Sequence, residues 1–127
     1  MASTGAILIV DDDVAIRTAV SWALGDAGYS VALAENGQAA LDHISISTPD
    51  LVLLDMLMPV MDGWELARRY RQLPGPHAPI VVMTAAQDAR ERAAQIDASG
   101  FLAKPFAVDD IVAVVRQYVS EGRPRFD

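Results

Sequence analysis

Apolar and polar residues are arranged along the chain in a pattern that predicts a parallel sheet covered by helices. Five short apolar runs, bounded by acidic or turn-forming residues, are typical of buried strands. The second run (YSVALA) mixes in polar and small residues as an edge strand does, whereas the third (LVLL) is apolar throughout, as a central strand is. The predicted strands cover residues 6–10, 29–34, 51–54, 80–84 and 101–103.

The segments between these runs carry apolar residues at helical spacing. Ile16 and Val20 share one stripe after the first run, and Ile111 and Val115 share one near the end of the chain. Strands joined by helical segments of this length form right-handed crossovers. The pattern therefore predicts an α/β fold of the (βα)5 type, which is doubly wound in three layers around a parallel five-stranded sheet. The expected strand order is 2-1-3-4-5, a common order for such sheets.

The amino-acid composition argues against several classes of function and of metal site. The 127 residues carry a net charge of −7 and a pI near 4.6, which argues against a nucleic-acid-binding face. The absence of cysteine excludes disulfides and thiolate metal sites. The N-terminal sequence lacks the basic segment of a signal peptide, and no apolar stretch is long enough to span a bilayer. We therefore expect one cytoplasmic domain over residues 1–121, followed by a short polar tail over residues 122–127.

Acidic residues end two of the predicted strands. Asp11 and Asp12 follow the first strand, and Asp55 follows the third. These strands are neighbours in the expected order, so the three carboxylates should meet at the carboxyl edge of the sheet, where such folds bind ligands. Several carboxylates this close stay ionised only beside a cation, and oxygen ligands with room for water favour Mg²⁺. Asp13 is expected instead to cap the first helix.

Thr84 and Lys104 end the fourth and fifth predicted strands at the same edge. A hydroxyl and an ammonium are groups that bind phosphate oxygens, which suggests a phosphoryl site. Each residue also has an ordinary interpretation, because threonine hydroxyls commonly bond the backbone and lysines are commonly solvated. Lys104 is nevertheless the single lysine beside nine arginines. The four strand ends together indicate phosphate chemistry more strongly than any of them does alone.

Four sequence segments carry a resemblance to a known family. They are IVDD at residues 9–12, LLDMLMPVMDG at 53–63, MTA at 83–85 and FLAKPF at 101–106. From residue 7 to about residue 119, the chain resembles the CheY-like receiver domain of two-component response regulators. The resemblance implies a flavodoxin-like fold and a role in two-component phosphorelay signal transduction.

The resemblance implies a phosphoacceptor and a metal site. Asp55 would take a phosphoryl group from the phosphohistidine of a sensor histidine kinase or a histidine phosphotransfer protein. Asp12, Asp55 and the backbone carbonyl of Leu57 would bind Mg²⁺ directly, and Asp11 would contact the ion mainly through water. The cation would offset the repulsion between these acids and the incoming phosphate.

The resemblance also implies how the phosphoryl group is held. Thr84, Lys104 and the backbone N–H of Ala85 would bond its oxygens, and the Lys104–Pro105 peptide bond would be cis. A protein of this kind is a signalling switch, not a turnover enzyme, since it catalyses only its own phosphorylation and dephosphorylation.

The resemblance also implies which residues set phosphoryl lifetime and which ones move on switching. Leu57 and Ala86, two residues beyond Asp55 and Thr84, would flank the path of the attacking water and tune the lifetime. Both are apolar here, so we expect modest self-dephosphorylation. After phosphorylation Thr84 would move towards Asp55, and Phe101 would turn into the space that it leaves. The surface formed by the fourth helix, the fifth strand and the fifth helix would then change for a downstream effector protein or domain.

Several points stay open from the sequence. A homodimer through that same surface is undecided, while direct binding to nucleic acid or to a membrane is not expected. Trp22 lies opposite its helix stripe, as either a kinase-docking residue or an incidental surface residue.

One alternative function is a receiver-like protein-interaction module that works without phosphate. A haloacid-dehalogenase-type phosphatase would use the DxD spacing of Asp11 and Asp13, but its downstream threonine is absent. A flavodoxin is disfavoured because aspartates would repel the FMN phosphate.

Overall fold

A five-stranded parallel sheet covered by five helices forms the part of the chain that the computed structural model describes, residues 5–85 and 87–119. The strands are β1 (Ala6–Val10), β2 (Ser30–Ala34), β3 (Leu51–Asp55), β4 (Ile80–Ala85) and β5 (Gly100–Lys104). The helices are α1 (Val14–Asp26), α2 (Gly37–Ile46), α3 (Gly63–Gln72), α4 (Ala89–Gln95) and α5 (Val108–Tyr118). The strand order β2-β1-β3-β4-β5 confirms the predicted doubly wound (βα)5, flavodoxin-like fold. None of these helices is long and apolar enough to cross a membrane.

Two apolar layers lie on the two faces of the sheet. Successive strand side chains point to opposite sides, so Ile7 and Ile9 join the cluster built with α1 and α5, whereas Leu8 and Val10 join the cluster built with α2, α3 and α4. Every residue of β3 is buried. The strand that ends in Asp55 is therefore held by both layers and by a neighbouring strand on each edge.

Polar caps fix the starts of three helices close to the carboxyl edge of the sheet. Asp13 accepts hydrogen bonds from the backbone N–H groups of Ala15 at 2.8 Å and Ile16 at 3.4 Å, which confirms its predicted role as the cap of α1. Asn36 and Asp62 cap α2 and α3 in the same way. The turns that follow β1 and β3 are thus tied down where they carry acidic side chains.

Strand boundaries differ slightly from the sequence prediction. β5 occupies Gly100–Lys104 instead of 101–103, because both of its ends pair with β4. β3 and β4 reach one residue further than predicted, to Asp55 and Ala85, and β2 begins one residue later at Ser30. The first and last residues of a strand are defined by hydrogen bonds to the adjacent strand. The apolar pattern of the strand itself does not show how far that pairing extends.

α4 is the shortest helix and carries little apolar surface. It has seven residues, of which the buried ones are alanines, and it ends at Gln95. The chain reverses just beyond, where Asp97 adopts a left-handed φ of 53° and the N–H of Ala98 donates to the carbonyl of Ala93 at 2.8 Å. Ile96, at this reversal, is the one large apolar residue that α4 and its cap bury.

Gly63 allows the start of α3 to approach the end of β3. A Cβ built at this position would lie 2.8 Å from the Cα of Met56 and 3.1 Å from the carbonyl oxygen of Asp55. By contrast, a Cβ at Gly25 in α1 would meet nothing within 4 Å. The two glycines are therefore a matched pair for testing whether close packing of the β3–α3 loop limits stability.

We expect Gly63→Ala to lower the free energy of unfolding by about 1–3 kcal/mol, because backbone atoms must move to admit the methyl group. Gly25→Ala should raise it by about 0.5–1 kcal/mol, because alanine favours the helix and no neighbour obstructs it. Urea denaturation followed by circular dichroism measures both values. A Gly63→Ala protein at least as stable as the parent would contradict the close approach.

Candidate functional site

The predicted convergence of three carboxylates is present at the carboxyl edge of the sheet. β1 and β3 are paired so that Val10 lies beside Leu54, which puts the residues that follow, Asp11 and Asp55, at the same level. Carboxylate oxygens of Asp11, Asp12 and Asp55 lie within 4.8 Å of one another. Asp11 and Asp55 are buried and Asp12 is exposed, so the group opens to solvent on one side.

Asp11 is held from several directions. Its backbone N–H donates to the carbonyl of Ala34 at 3.1 Å, and its Oδ1 accepts from the N–H of Asp13 at 2.9 Å. The Nη1 of Arg17 donates to the carbonyl of Asp11 at 2.6 Å. Sequence reasoning missed Arg17, although a long cationic side chain one turn into a helix that follows an acidic turn is a usable signal. The acidic turn is therefore fixed by backbone bonds and by a guanidinium.

Lys104 belongs to the same group of charges. Its Nζ donates to Oδ2 of Asp11 at 2.8 Å and lies 3.8 Å from Oδ2 of Asp55. The interpretation of Lys104 as a solvated lysine is therefore wrong, since it is partly buried against two carboxylates. The Lys104–Pro105 peptide bond that follows is cis. In this structure the lysine acts as the counter-ion of the acidic residues.

The group has more carboxylates than cations, and the pKa of Asp55 is raised. Burial and the neighbouring carboxylate of Asp11 raise the pKa of Asp55 from 3.8 to about 6, although Lys104 and the N–H of Leu57 oppose the change. One ammonium therefore does not fully offset three carboxylates. All three side chains offer hard oxygen ligands with access to water, which is the ligand chemistry that Mg²⁺ prefers. The residues present fit a divalent cation of this type.

The other residues expected near the site lie at the same edge. Asp55 is paired with Met83, so Thr84 lies one residue further along β4, and its side chain is buried. Ala85 follows at the end of the strand and is exposed. Leu57, in the β3–α3 loop, donates its N–H to Oδ1 of Asp55 at 3.4 Å, and its side chain is 58% exposed. Their proposed roles stay predictions.

Phe101 and Trp22 lie at the surface. Phe101 is 40% exposed, and the guanidinium of Arg90 lies over its ring at 5.6 Å from the centroid, so Phe101 is not a core residue in this structure. Trp22 is 78% exposed, which agrees with its position opposite the apolar stripe of α1. Ala86, expected to tune phosphoryl lifetime, and the tail at 122–127 lie outside the described residues.

Known proteins share both the sequence and the fold of this chain. The family model described as "Response regulator receiver domain" matches residues 7–116. Response regulator MprA of Mycolicibacterium vanbaalenii is 42% identical over 120 residues, which is 93% of this chain and 52% of that protein. The chain thus spans about half the length of this curated relative.

Solved structures agree with this assignment. The chemotaxis response regulator CheY4 of Vibrio cholerae superposes with a TM-score of 0.84 at 30% identity, covering 92% of this chain and 100% of that chain. The BeF3-activated receiver domain of nitrogen regulatory protein C superposes with a TM-score of 0.76 at 38% identity, covering 93% and 96%. On this evidence the chain belongs to the family of response regulator receiver domains.

Proposed function

We propose that this receiver domain accepts a phosphoryl group on Asp55 and acts as a phosphorylation-controlled switch. The observation that carries the proposal is the grouping of Asp11, Asp12 and Asp55 within 4.8 Å, with the Nζ of Lys104 bonded to Asp11 and 3.8 Å from Asp55. A buried carboxylate between a cation and a solvent-facing acid is suited to accept a phosphoryl group and to hold it.

The chemistry is a transfer between two side chains. A carboxylate oxygen of Asp55 bonds to phosphorus while the bond from phosphorus to the donor histidine nitrogen breaks, and the imidazole leaves. Lys104, the hydroxyl of Thr84 and the N–H of Ala85 donate to the phosphoryl oxygens, on which charge is spread during transfer. The position of these three groups at the ends of β4 and β5 supports the assignment.

Mg²⁺ is the cofactor that these residues fit. Asp12, Asp55 and the backbone carbonyl of Leu57 would hold the ion directly, and Asp11 would contact it through water. When bound, the ion supplies positive charge that offsets the repulsion between the acidic residues and a phosphoryl group. The raised pKa of Asp55, about 6, supports this need for a cation, because it reflects burial beside another carboxylate.

The proposed partners follow from the site and the family. The donor is a sensor histidine kinase or a histidine phosphotransfer protein, and Trp22 is a candidate docking residue on α1. The output is a change in the α4–β5–α5 surface, read by an effector protein or domain or by a second copy of this chain. We propose that residues 1–121 form this unit and that the domain itself does not contact nucleic acid or membrane.

The alternatives are less well supported. A receiver-like module that works without phosphate would not need Asp12, Asp55, Thr84 and Lys104 together at one edge. A haloacid-dehalogenase-type phosphatase would use Asp11 as its nucleophile, yet Asp11 is fully buried and bonded to Lys104. Family membership also argues against this phosphatase and against a flavodoxin.

The first test is phosphorylation itself. With Mg²⁺ and acetyl phosphate, or with a phosphorylated histidine kinase, the parent should gain one phosphoryl group, and Asp55→Asn should gain none because the amide cannot act as the nucleophile. Intact-protein mass spectrometry and peptide mapping locate the group. Asp26→Asn is the matched control, since Asp26 is exposed at the far end of α1. Equal labelling of Asp55→Asn and the parent would overturn the proposal.

The second test uses the charge balance of the site. Because the pKa of Asp55 is raised to about 6, the folded state binds more protons than the unfolded state between about pH 4 and 6, and stability falls as the pH rises through this range. In metal-free buffer at neutral pH, Asp55→Asn should be about 1–2 kcal/mol more stable than the parent, after allowance for solvent screening. The gain should shrink as the pH falls below 6.

Urea denaturation at neutral and acidic pH measures this difference, and Mg²⁺ should then stabilise the parent more than Asp55→Asn because the variant lacks one ligand charge. Asp26→Asn should show neither effect. If Asp55→Asn gained no stability at neutral pH and Mg²⁺ stabilised both proteins equally, the site would not be a cation-deficient acidic cluster.

The third test concerns phosphoryl lifetime. Leu57→Asn should shorten the lifetime several-fold, because the amide can orient a water molecule beside Asp55 where leucine cannot. Loss of the phosphoryl group is followed after removal of the donor. Val60→Asn is the control, since Val60 is an exposed apolar residue of the same loop whose φ of 70° asparagine tolerates. An unchanged decay rate in Leu57→Asn would remove Leu57 from this role.

A further inference from the structure

α4 is attached to α3 by polar and aromatic contacts. The Nε1 of Trp64 donates to Oε1 of Gln95 at 2.8 Å, and the guanidinium of Arg92 lies over the Trp64 ring at 5.3 Å. Arg71 donates to the backbone carbonyls of Ile96 and Asp97, just beyond the helix. These contacts compensate for the small apolar surface of α4 and hold it on the α3 side.

On the β5 side, Arg90 contacts Phe101. Its guanidinium lies 5.6 Å from the centroid of the Phe101 ring, and it forms no ion pair within residues 5–85 and 87–119. Arg92, on the same helix, does pair with Asp88 at 3.2 Å. The Phe101 ring therefore has Arg90 as its cationic partner, with no described carboxylate competing for it.

The Phe101 ring lies outside the apolar core. Phe101 belongs to neither apolar cluster of the core, although its neighbour Leu102 packs against one of them. The ring lines a shallow surface cavity together with Arg90 and the polar residues Gln87 and Glu91. The ring thus lies against residues of α4 and its N-terminal turn, and the cation–π contact with Arg90 is its described aromatic interaction.

We propose that Arg90 is a positioning residue that holds Phe101 outward and so opposes the switch to the phosphorylated state. The proposal rests on the proposed function, in which Phe101 turns inward as Thr84 moves towards Asp55. A cation over an aromatic face is attracted to the ring electrons, and at an exposed site the contact changes an equilibrium by about two- to five-fold. Turning the ring inward ends the contact and releases the guanidinium.

A quantitative consequence follows from linkage. A contact that stabilises only one of two states lowers the apparent affinity for a ligand of the other state by the same factor. Removal of Arg90 should therefore raise the affinity for a phosphoryl analogue by about two- to five-fold. The effect must depend on the ring, so it should be absent when Phe101 is replaced by an aliphatic residue.

The experiment is a double-mutant cycle with two readouts. Beryllofluoride is titrated with Mg²⁺ into the parent, Arg90→Gln, Phe101→Leu and the double variant. The proteins that retain Phe101 are also labelled with 4-fluorophenylalanine, because the chain has three phenylalanines and their ¹⁹F resonances can be assigned by single replacements. Arg69→Gln on α3 is the control, since it removes the same charge from a different exposed helix surface.

The expected result is a two- to five-fold rise in affinity for Arg90→Gln, none for Arg69→Gln, and none for Arg90→Gln in the Phe101→Leu background. In the ligand-free protein, Arg90→Gln should move the Phe101 resonance towards its beryllofluoride-bound position and leave that of Phe106 in place. An unmoved Phe101 resonance, or an equal rise in affinity with and without the ring, would overturn the role of Arg90. Failure of the parent to bind beryllofluoride would overturn the proposed function, whereas binding by the parent with an unmoved Phe101 resonance in Arg90→Gln would overturn only the role of Arg90.

Discussion

Electrostatic repulsion among three aspartates is the constraint on which the rest of the site depends. Pairing of β1 with β3 forces Asp11 and Asp55 to the same level, and both are buried. Lys104 reaches across from β5 and bonds Asp11, which offsets part of the repulsion, but burial and the nearby carboxylate of Asp11 still raise the pKa of Asp55. The fold thus maintains a region of excess negative charge, which favours a bound cation.

The two sides of the site differ in how firmly they are held. β1 and β3 lie between both apolar layers, and the turn after β1 is bonded to Ala34, Asp13 and Arg17. On the other side β4 is equally buried, but β5 has no fully buried residue and the short helix α4 buries only two alanines. Segments with few buried apolar contacts open and rearrange at lower free energy than core strands. A rigid acceptor side beside a more adaptable side is the arrangement that a switch requires.

The fold and the acidic grouping were predictable because their signals are local. Apolar runs and helical spacing identified the strands, and acids at strand ends identified the group once β1 and β3 were taken as neighbours. The cap formed by Asp13 is equally local. Two of the contacts that sequence reasoning missed join elements far apart in the chain. Lys104 bonds Asp11 across 93 positions, and Trp64 bonds Gln95 across 31.

The orientation of long side chains explains these omissions. The contacts of Arg17, Arg90 and Arg92 were not predicted. Arg17 donates to a backbone carbonyl, and the guanidinium groups of Arg90 and Arg92 lie over aromatic rings. Such pairings depend on how helices sit on the sheet, which periodicity does not report. The predicted strand boundaries were wrong by one residue for the same reason, because hydrogen bonding to the neighbouring strand determines where a strand ends.

The use of one lysine among nine arginines has a chemical consequence. Guanidinium groups stay charged and react poorly with acylating agents, whereas a lysine amine that loses its proton is a nucleophile. Among the side chains of this protein, Lys104 is therefore the one amine that an acylating agent can modify. Acylation would neutralise this amine and remove the ammonium bonded to Asp11. The hydrogen bond to Asp11 and the partial burial of the side chain limit the access of such a reagent to this amine.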